Sequence, residues 1–427
     1  MAGSAARRRI AVVGSGIAGL SAAYVLQRQA DVTLYEADDR LGGHAHTHEL
    51  LDDDGRPVSV DTGFIVHNRR TYPQLLRLFA ELDVATQPSE MSMSIRCGGC
   101  GLEYAGARGL GGLFPSAANA LNPRYLYLLA EVTRFHRRAR ALLALEPGHA
   151  EQGLTMADFL VRGRFTRYFS SHFVTPLISA VWSCSPELAL QYPARYLFEF
   201  LANHGMLSVT GSPEWRTVVG GSGRYVEKAV KQLSSVATST GVRAVHRLEH
   251  GVRIHDVSDG TEDFDAAVIA THPHQALAML SRPTPAEAAT LGAIHYSVNP
   301  TVLHTDTAVL PRSERVQASW NYVLPRCDAG AESVQVSYDM NRLQRLDSRT
   351  RYLVTLNDRG TVAPERTIET MVYEHPVFTP ESVAAQAGLP ALNDGVLAFA
   401  GAYHGWGFHE DGCRSGVEAA RSLGVTW

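Results

Sequence analysis

The sequence predicts a mixed fold of two domains, an α/β domain with a parallel sheet and an α+β domain. Residues 9–36 have the pattern of a strand, a glycine-rich turn, a helix and a second strand, which is how a parallel sheet begins. Short apolar strands return at 264–271 and 396–401. Between these pieces, residues 115–206 show helical periodicity and residues 301–373 show alternating strands, which indicates a separate domain.

The glycine-rich turn has the spacing of a dinucleotide-binding site. Gly14, Gly16 and Gly19 follow an apolar run directly and precede a helix. In a Rossmann-like domain the first glycine permits a tight turn, the second lets the backbone approach a pyrophosphate, and the third lets helix and strand pack closely. The helix N-terminus offers free N–H groups to the phosphates. The contacting turn is therefore expected to include Ser15, Ile17 and Ala18.

An acidic residue, Glu36, ends the second strand at 20 residues after Gly16. A carboxylate at this place accepts hydrogen bonds from both hydroxyls of an adenosine ribose. It would repel a 2′-phosphate, so a ligand of the NADP type is disfavoured.

Composition excludes several classes of protein. The 427 residues suffice for two domains, and 45% apolar with 19% charged residues is ordinary for a globular protein. A net charge of −4 argues against nucleic-acid binding. Five cysteines, an odd number, fit a reducing cytoplasm better than a disulfide framework. Because no run of about 18 apolar residues occurs, we expect no membrane span.

We expect the nucleotide-binding domain to be discontinuous and to comprise residues 7–90, 215–275 and 393–427. The substrate domain then comprises a helical insert at 91–214 and an antiparallel sheet at 276–392. The predicted strands of that sheet are 301–305, 316–324, 333–340, 352–356 and 370–373.

Three further stretches resemble a bacterial branch of the flavin amine oxidase superfamily, over nearly the whole chain. They are ADDRLGGHAHT from residue 37, VDTGFIVHN from residue 60, and GAYHGWGFHEDGCRSG from residue 401. The resemblance implies a Rossmann-like FAD-binding domain beside the substrate domain. Besides the turn and Glu36, it implies cofactor contacts at Ala37, Arg40, Gly42, Gly43, His44, Thr62, Gly63, Phe64, Val245, Thr271, Gly401, Ala402, Phe408, His409 and Glu410.

The chain departs from the pattern of true amine oxidases at several positions. In that superfamily the N-terminus of the last helix stabilises the anion of reduced flavin. Ala402 stands where an acidic residue often follows, and His44 stands where arginine is usual. The two lysines of the chain, Lys228 and Lys231, lie away from the position that holds a water against flavin N5. Amine oxidation is therefore only one alternative.

The same resemblance implies a substrate and a partner. Members of this branch occur fused to, or beside, methyltransferases of the cyclopropane fatty acid synthase type, and relatives take part in making furan-containing fatty acids. We therefore expect a flavin-dependent oxidoreductase acting on an apolar substrate such as a fatty acyl chain, by desaturation or saturation. The alternatives are a flavin-binding accessory partner of such a methyltransferase, an amine oxidase, or an isomerase without net redox change.

Histidines are the candidate acids and bases. His404 and His409 lie in the closing loop, and imidazole titrates near neutral pH. The alternative is aromatic packing against the flavin. His44, His46 and His48 have the period of a strand face, which a three-histidine metal site would need, but the cofactor loop accounts for His44 and we expect no metal.

A Cys-Gly-Gly-Cys stretch at 97–100 has two interpretations. It is half of a zinc site or a redox pair, or it is a glycine turn flanked by two cysteines. The sequence indicates no second pair of ligands, so the turn is favoured.

The helix predicted at 125–145 carries four arginines beside a leucine stripe. A solvated basic face explains this pattern. The alternative is a helix that lies on an anionic membrane surface, which would make the protein peripheral to the membrane.

Overall fold

The computed structural model describes residues 7–146, 148–208, 211–327 and 335–427. Within these ranges its centre is a parallel sheet of five strands. Their spatial order is Ser235–Ala237, Ala30–Tyr35, Arg8–Val13, Ala266–Ile269 and Leu397–Phe399. The strands come from 7–90, 215–275 and 393–427, the three pieces predicted for the nucleotide-binding domain; the exact boundaries stay a prediction.

The first strand, Arg8–Val13, is central and buried on both faces. Ile10 and Val12 pack into one hydrophobic core, and Ala11 and Val13 pack into another. A parallel strand covered on both sides has no solvent face, which explains its continuous apolar run. Helices Ile17–Leu26 and His409–Ser422 contribute to the core on the side of Ile10.

The second large sheet has seven strands in the described ranges and belongs to the substrate domain. Their order is Thr367–Val377, His295–His304, Leu353–Leu356, Gln335–Asp339, Trp320–Leu324, Met93–Cys97 and Glu103–Tyr104. Smaller sheets are formed by Thr47–Leu51 with Pro57–Asp61, by Val66–Asn68, Trp215–Val218 and Thr86–Pro88, and by Val242–Leu248, Gly251–Asp256 and Thr261–Phe264.

This sheet corrects the predicted antiparallel meander in two respects. His295–His304 lies between Leu353–Leu356 and Thr367–Val377, so the chain order is not the spatial order. Met93–Cys97 pairs in parallel with Trp320–Leu324, because it enters from a distant part of the chain that local alternation cannot reveal. The predicted strand 333–340 is a strand over Gln335–Asp339, while Ser333 and Val334 lie outside the described residues.

The insert between the first two pieces of the nucleotide-binding domain is mainly helical, as predicted. Its α-helices are Gly109–Leu113, Ala117–Leu121, Pro123–Leu143, Met156–Arg162, Arg167–Phe169, Thr175–Trp182, Pro186–Gln191 and Ala194–Asn203, with a π-helical turn at Ser170–Val174. The other α-helices are Pro73–Glu81, Gly223–Val230, Pro273–Met279, Pro285–Gly292, Met340–Leu343 and Pro380–Gln386. In the described part of the chain, no helix has the length and apolar character needed to cross a bilayer.

Candidate functional site

The glycine turn has the geometry that a dinucleotide site needs. Gly14 has a φ of +97°, and a Cβ there would lie 2.9 Å from the Ala270 carbonyl oxygen. A Cβ on Gly19 would lie 1.8 Å from the Gly14 oxygen, so only glycine permits this helix packing. A Cβ on Gly16 would meet no described atom within 4 Å. The second glycine therefore faces open space, where backbone can approach a ligand.

The paired glycines at 42 and 43 lie over this turn. The Gly42 N–H donates to the Ser15 hydroxyl at 3.0 Å. A Cβ on Gly43 would lie 3.1 Å from the Gly16 Cα, and Arg40 donates to the Gly43 carbonyl at 2.8 Å. Residues about thirty positions apart in the chain are thus brought together around one point.

The Glu36 carboxylate lies at the same edge of the sheet. One oxygen accepts the Ser15 N–H at 2.8 Å and the Ser15 hydroxyl, and the other accepts the Asp38 N–H at 3.0 Å. These bonds fix the carboxylate beside the glycine turn.

A second backbone segment, residues 62–64, runs along the stretch after the paired glycines. The Phe64 N–H donates to the His44 carbonyl at 2.7 Å, and the Thr62 N–H donates to the His46 carbonyl at 3.0 Å. A Cβ on Gly63 would lie 2.1 Å from the His44 oxygen, so close approach requires glycine. Two further predicted contacts lie on other elements: Val245 is buried within strand Val242–Leu248 of the three-stranded sheet, and Thr271 follows the strand Ala266–Ile269.

The last helix, His409–Ser422, packs against the first helix from the far end of the chain. A Cβ on Gly412 would lie 2.7 Å from the Ile17 Cγ2, and one on Gly416 would lie 2.2 Å from the Ala18 oxygen. The Gly401 N–H donates to the Ser415 hydroxyl at 2.9 Å, which joins the strand before this helix to the helix itself. The first and last helices therefore pack closely, with Ala402 and Phe408 in the connection between strand and helix.

His409 is buried and its ring is held on two sides. It stacks on Phe64 at 3.6 Å between ring centroids, and its Nε2 lies 2.9 Å from the Tyr225 hydroxyl. Burial lowers the pKa of His409 to about 3. The neutral ring is therefore strongly favoured at physiological pH, and this environment is that of a packed histidine more than that of an acid. Its catalytic role stays a prediction.

His404 differs from His409 in that a buried nitrogen of its ring has no partner in the part of the chain that the structure describes. Its Nε2 and the Trp406 Nε1 are buried and have no hydrogen-bond partner among the described residues. Burial lowers the pKa of His404 to about 4, so this histidine too favours the neutral form. His404 therefore retains a buried ring nitrogen that a ligand could meet.

Glu410 has a structural partner that the sequence did not indicate. Its two carboxylate oxygens accept the N–H groups of Gln74 and Leu75, each at 3.0 Å. It thus caps the N-terminus of helix Pro73–Glu81. Burial raises the pKa of Glu410 to about 7. The predicted cofactor contact at Glu410 therefore competes with a helix cap.

Sequence reasoning missed Tyr373 as a member of the site. Its hydroxyl lies 2.7 Å from the Thr62 hydroxyl and 3.0 Å from the His46 Nδ1. Its ring lies 5.1 Å from that of His44, and the His375 ring lies 5.4 Å from His44. The alternation of Tyr373 and His375 on one strand face was the signal available in the sequence.

The three predicted strand-face histidines do not form one metal site. The rings of His46 and His48 lie 4.1 Å apart at an angle of 35°, whereas His44 contacts Tyr373 and His375. Burial lowers the pKa of His46 to about 3, which favours its neutral form.

The residues present fit FAD. The open face at Gly16, the paired glycines above it and the carboxylate of Glu36 together form a cradle for a pyrophosphate and a ribose. The His44 Nε2 is buried and has no protein partner in the described ranges. A ligand rich in oxygen and nitrogen atoms would satisfy such a group.

Fold and site together define a flavin-binding protein with a Rossmann-like domain. A family model described as "Flavin containing amine oxidoreductase" matches residues 17–423. The chain therefore belongs to the flavin-containing amine oxidoreductase family, whose cofactor is FAD.

Individual relatives agree with this assignment. AofH of Mycobacterium tuberculosis, by name a flavin-containing monoamine oxidase, is 27% identical over 292 residues, 65% of this chain. The match spans 60% of the length of that relative. Cyclohexylamine oxidase from Brevibacterium oxydans has a similar structure, with a TM-score of 0.69, 18% identity and 98% coverage of both chains. A fatty acid isomerase from P. acnes that produces CLA also has a TM-score of 0.69, with 16% identity and coverage of 96% and 97%.

Proposed function

We propose that this protein is a flavin-dependent oxidoreductase that acts on an apolar substrate, a fatty acyl chain. Bound FAD would supply hydride transfer at its N5 atom, in the direction of desaturation or saturation. The observation that carries the proposal is an aromatic wall beside the start of the last helix.

The aromatic wall consists of Trp182, Phe200, Trp406 and Phe408. Phe200 and Phe408 stack at 4.8 Å with 17° between planes, and Trp182 lies 4.7 Å from Phe200. The Trp406 ring lies 6.0 Å from Phe200. The wall joins the helical insert to the loop that leads into the last helix, and a substrate in front of the flavin would contact its half-buried members, Trp406 and Phe408. Such a surface favours hydrocarbon.

The charged side chains that could serve amine oxidation already form hydrogen bonds within the protein. Asp411 accepts the Phe408 N–H at 3.1 Å and a hydrogen bond from Arg414 at 2.8 Å. Glu410 caps a helix, as described above. Lys228 lies on helix Gly223–Val230 and donates to the Asp83 carbonyl, so it is not available to hold a water at the flavin. These three arrangements support an apolar substrate over an amine.

The chain's own residues position the reaction. Gly16, Gly43 and Glu36 would hold the pyrophosphate and ribose, and the N-terminus of helix His409–Ser422 would face developing negative charge. The aromatic wall would exclude water from the reacting carbons. Tyr373, bonded to Thr62, would keep the backbone of residues 62–64 in place.

The experiment is anaerobic bleaching of the FAD-loaded protein. Saturated acyl phospholipid is added to oxidised protein, unsaturated acyl phospholipid is added to photoreduced protein, and cyclohexylamine is added as the amine control. We expect a spectral change with one acyl lipid and none with the amine. Bleaching by the amine alone would establish the amine oxidase alternative, and an acyl product of unchanged mass would establish an isomerase.

A pair of variants links the result to the wall. Phe408→Ala should slow acyl-dependent bleaching at least about tenfold, because it removes aromatic contact area. Leu51→Ala is the control for loss of an apolar side chain elsewhere, since Leu51 is 72% exposed on strand Thr47–Leu51. Equal rates in both variants would contradict the role of the wall.

A partner follows from the acyl substrate. We propose that a methyltransferase of the cyclopropane fatty acid synthase type modifies the same acyl chain before or after this protein. The proposal rests on the resemblance described above, and its test is co-purification of the two proteins. Some variants of this protein should no longer show lipid-dependent bleaching. If the methyltransferase still forms its product with such variants, this protein has an accessory role and not a catalytic one.

A further inference from the structure

Four side chains that bind soft metals come together at one end of the seven-stranded sheet. They are Cys97, Cys100, His172 and Cys327, whose ligand atoms all lie within 4.8 Å of one another. The Cys97 and Cys327 sulfurs are 3.7 Å apart, and the Cys100 sulfur is 3.5 Å from the His172 Nε2. In a tetrahedral zinc site these edges would be about 3.8 Å and about 3.5 Å. The cluster therefore already has zinc-site dimensions along these edges.

The sheet explains why the cysteines meet. Strands Met93–Cys97 and Trp320–Leu324 run parallel, with Cys97 paired to Leu324, so the loops that follow them leave the sheet side by side. The Gly98 N–H donates to the Leu324 carbonyl at 2.8 Å. A Cβ on Gly99 would lie 2.9 Å from the Cys327 nitrogen, so glycine is needed where the two loops touch.

The first cysteine loop is closed by backbone hydrogen bonds at both of its ends. The Cys97 N–H donates to the Leu102 carbonyl at 2.8 Å, and the Gly101 N–H donates to the Cys97 carbonyl at 3.0 Å. A tight turn with C-x₂-C spacing is typical of half a zinc site.

The ring nitrogen of His172 that lies beside Cys100 is the one that can bind a metal ion. It is buried in the π-helical turn Ser170–Val174, and its Nδ1 lies 3.0 Å from the Tyr168 carbonyl oxygen. Because a carbonyl only accepts, Nδ1 carries the proton and Nε2 keeps its lone pair toward Cys100. A backbone carbonyl on the second ring nitrogen is the usual support of a metal-binding histidine.

We propose that Cys97, Cys100, Cys327 and His172 bind one structural Zn²⁺, which joins the helical insert to the sheet. Four protein ligands fill a tetrahedral shell and leave no position for substrate, so the site is structural. The cluster lies at the ends of strands Met93–Cys97 and Trp320–Leu324, toward the opposite edge of the sheet from Thr367–Val377, which carries Tyr373. The inference therefore does not depend on the flavin reaction.

The experiment measures metal in the full-length, FAD-loaded protein by mass spectrometry of the elements. We expect about one zinc per chain in the native protein and less than a tenth of that in Cys100→Ser and His172→Ala. Cys184→Ala is the matched control, because Cys184 is a buried cysteine that does not belong to the cluster. It should keep its zinc, and FAD content should be equal in every variant that folds.

Two measurements on the native protein test the proposal without depending on whether the variants fold. X-ray absorption at the zinc edge should show three sulfur ligands and one nitrogen ligand at about 2.3 Å and about 2.0 Å. Removal of the metal by a chelator should lower Tm by at least about 5 °C, with recovery on adding Zn²⁺. Iron in place of zinc, a Cys97–Cys327 disulfide in the freshly purified protein, or failure of the reduced protein to take up Zn²⁺ would each overturn the proposal.

Discussion

The Glu410 carboxylate and the Leu75 N–H form a 3.0 Å hydrogen bond that joins the last helix to a helix near the start of the chain. The second carboxylate oxygen accepts the Gln74 N–H in the same way. A single side chain thus supplies a cap that the local sequence does not: Tyr72 precedes helix Pro73–Glu81 and makes no side-chain cap. Helix N-termini need such acceptors because their first N–H groups have no partner within the helix.

Because Glu410 caps a helix, we predict that replacing it destabilises the protein. Glu410→Ala should lower the free energy of unfolding by about 1–3 kcal/mol, because two buried N–H groups lose their acceptor. Denaturant unfolding of the apoprotein measures this loss. If Glu410 acted only as a cofactor contact, apoprotein stability would be unchanged and FAD affinity alone would fall.

The glycine turn predicts opposite behaviour for two neighbouring substitutions. Gly16→Ala should leave apoprotein stability within about 1 kcal/mol of the original, because its Cβ meets open space. Its FAD content should fall, since the methyl group would occupy the approach of the pyrophosphate. Gly19→Ala should unfold the domain or prevent its formation, because its Cβ would lie 1.8 Å from the Gly14 oxygen.

FAD absorbance per chain and thermal unfolding without FAD distinguish the two cases. A Gly16→Ala protein that retains full FAD affinity would show that this glycine does not face the cofactor.

Because several histidines are buried, we predict that the folded protein loses stability as the pH falls. Burial lowers the pKa of His409 to about 3 and the pKa values of His375 and His404 to about 4. Below pH 6.5 the unfolded chain binds protons at these positions that the folded chain does not, so stability is lost as pH decreases from about 6.5 toward about 4. Each group contributes at most about 1.4 kcal/mol per pH unit.

Two carboxyls oppose this trend. Burial raises the pKa of Asp61 to about 6 and that of Glu410 to about 7, so the folded chain keeps protons that the unfolded chain has released. The pKa values of His46, His67, His204 and His304 are lowered to about 3 or about 4 as well, so the histidines outweigh the two carboxyls. We therefore expect a net loss of at least about 2 kcal/mol between pH 7 and pH 5. Urea unfolding at both pH values measures it. His375→Asn should reduce the loss, whereas His250→Asn should not, since His250 is 90% exposed.

The basic helix predicts weak binding to anionic membranes. Arg137 and Arg138 are exposed on helix Pro123–Leu143, which also carries the exposed apolar side chains Leu126 and Tyr127. Arg134 and Arg140 are less available, because Arg134 is paired with Glu131 and Arg140 donates to the Leu207 carbonyl. The double variant Arg137→Glu, Arg138→Glu should weaken binding to phosphatidylserine vesicles at least about tenfold.

Co-sedimentation with vesicles provides the measurement. The exposed pair Arg282→Glu, Arg349→Glu is the control with the same change of charge. Equal binding by both double variants would show that the helix has no special role.

Much of the nucleotide-binding domain follows from local patterns in the sequence. The order of strand, glycines, helix and Glu36 constrains the backbone within about thirty residues, so each glycine has the environment expected of it. The strand Leu397–Phe399 and helix His409–Ser422 were also predictable, because short buried strands and glycine-rich loops have distinct patterns.

Contacts between distant segments could not be predicted in the same way. Nothing near Cys97 in the sequence indicates His172 or Cys327, which reach it only through a parallel strand pair and a π-helical turn. Glu410 is similar, since an acidic residue beside a predicted cofactor helix gives no sign that it caps a helix more than 330 residues away. Burial and stacking of His409 likewise depend on Phe64 and Tyr225, which belong to other elements.

The close packing of the first helix against the last, with Gly416 at Ala18, sets an order of events during synthesis. Arg8 also donates to the Leu423 carbonyl at 2.8 Å, so the first strand is tied to the final helix. The ribosome makes the amino-terminal partner several hundred residues before its counterpart. The packing of the first helix against the last can therefore form only after the last helix has been translated.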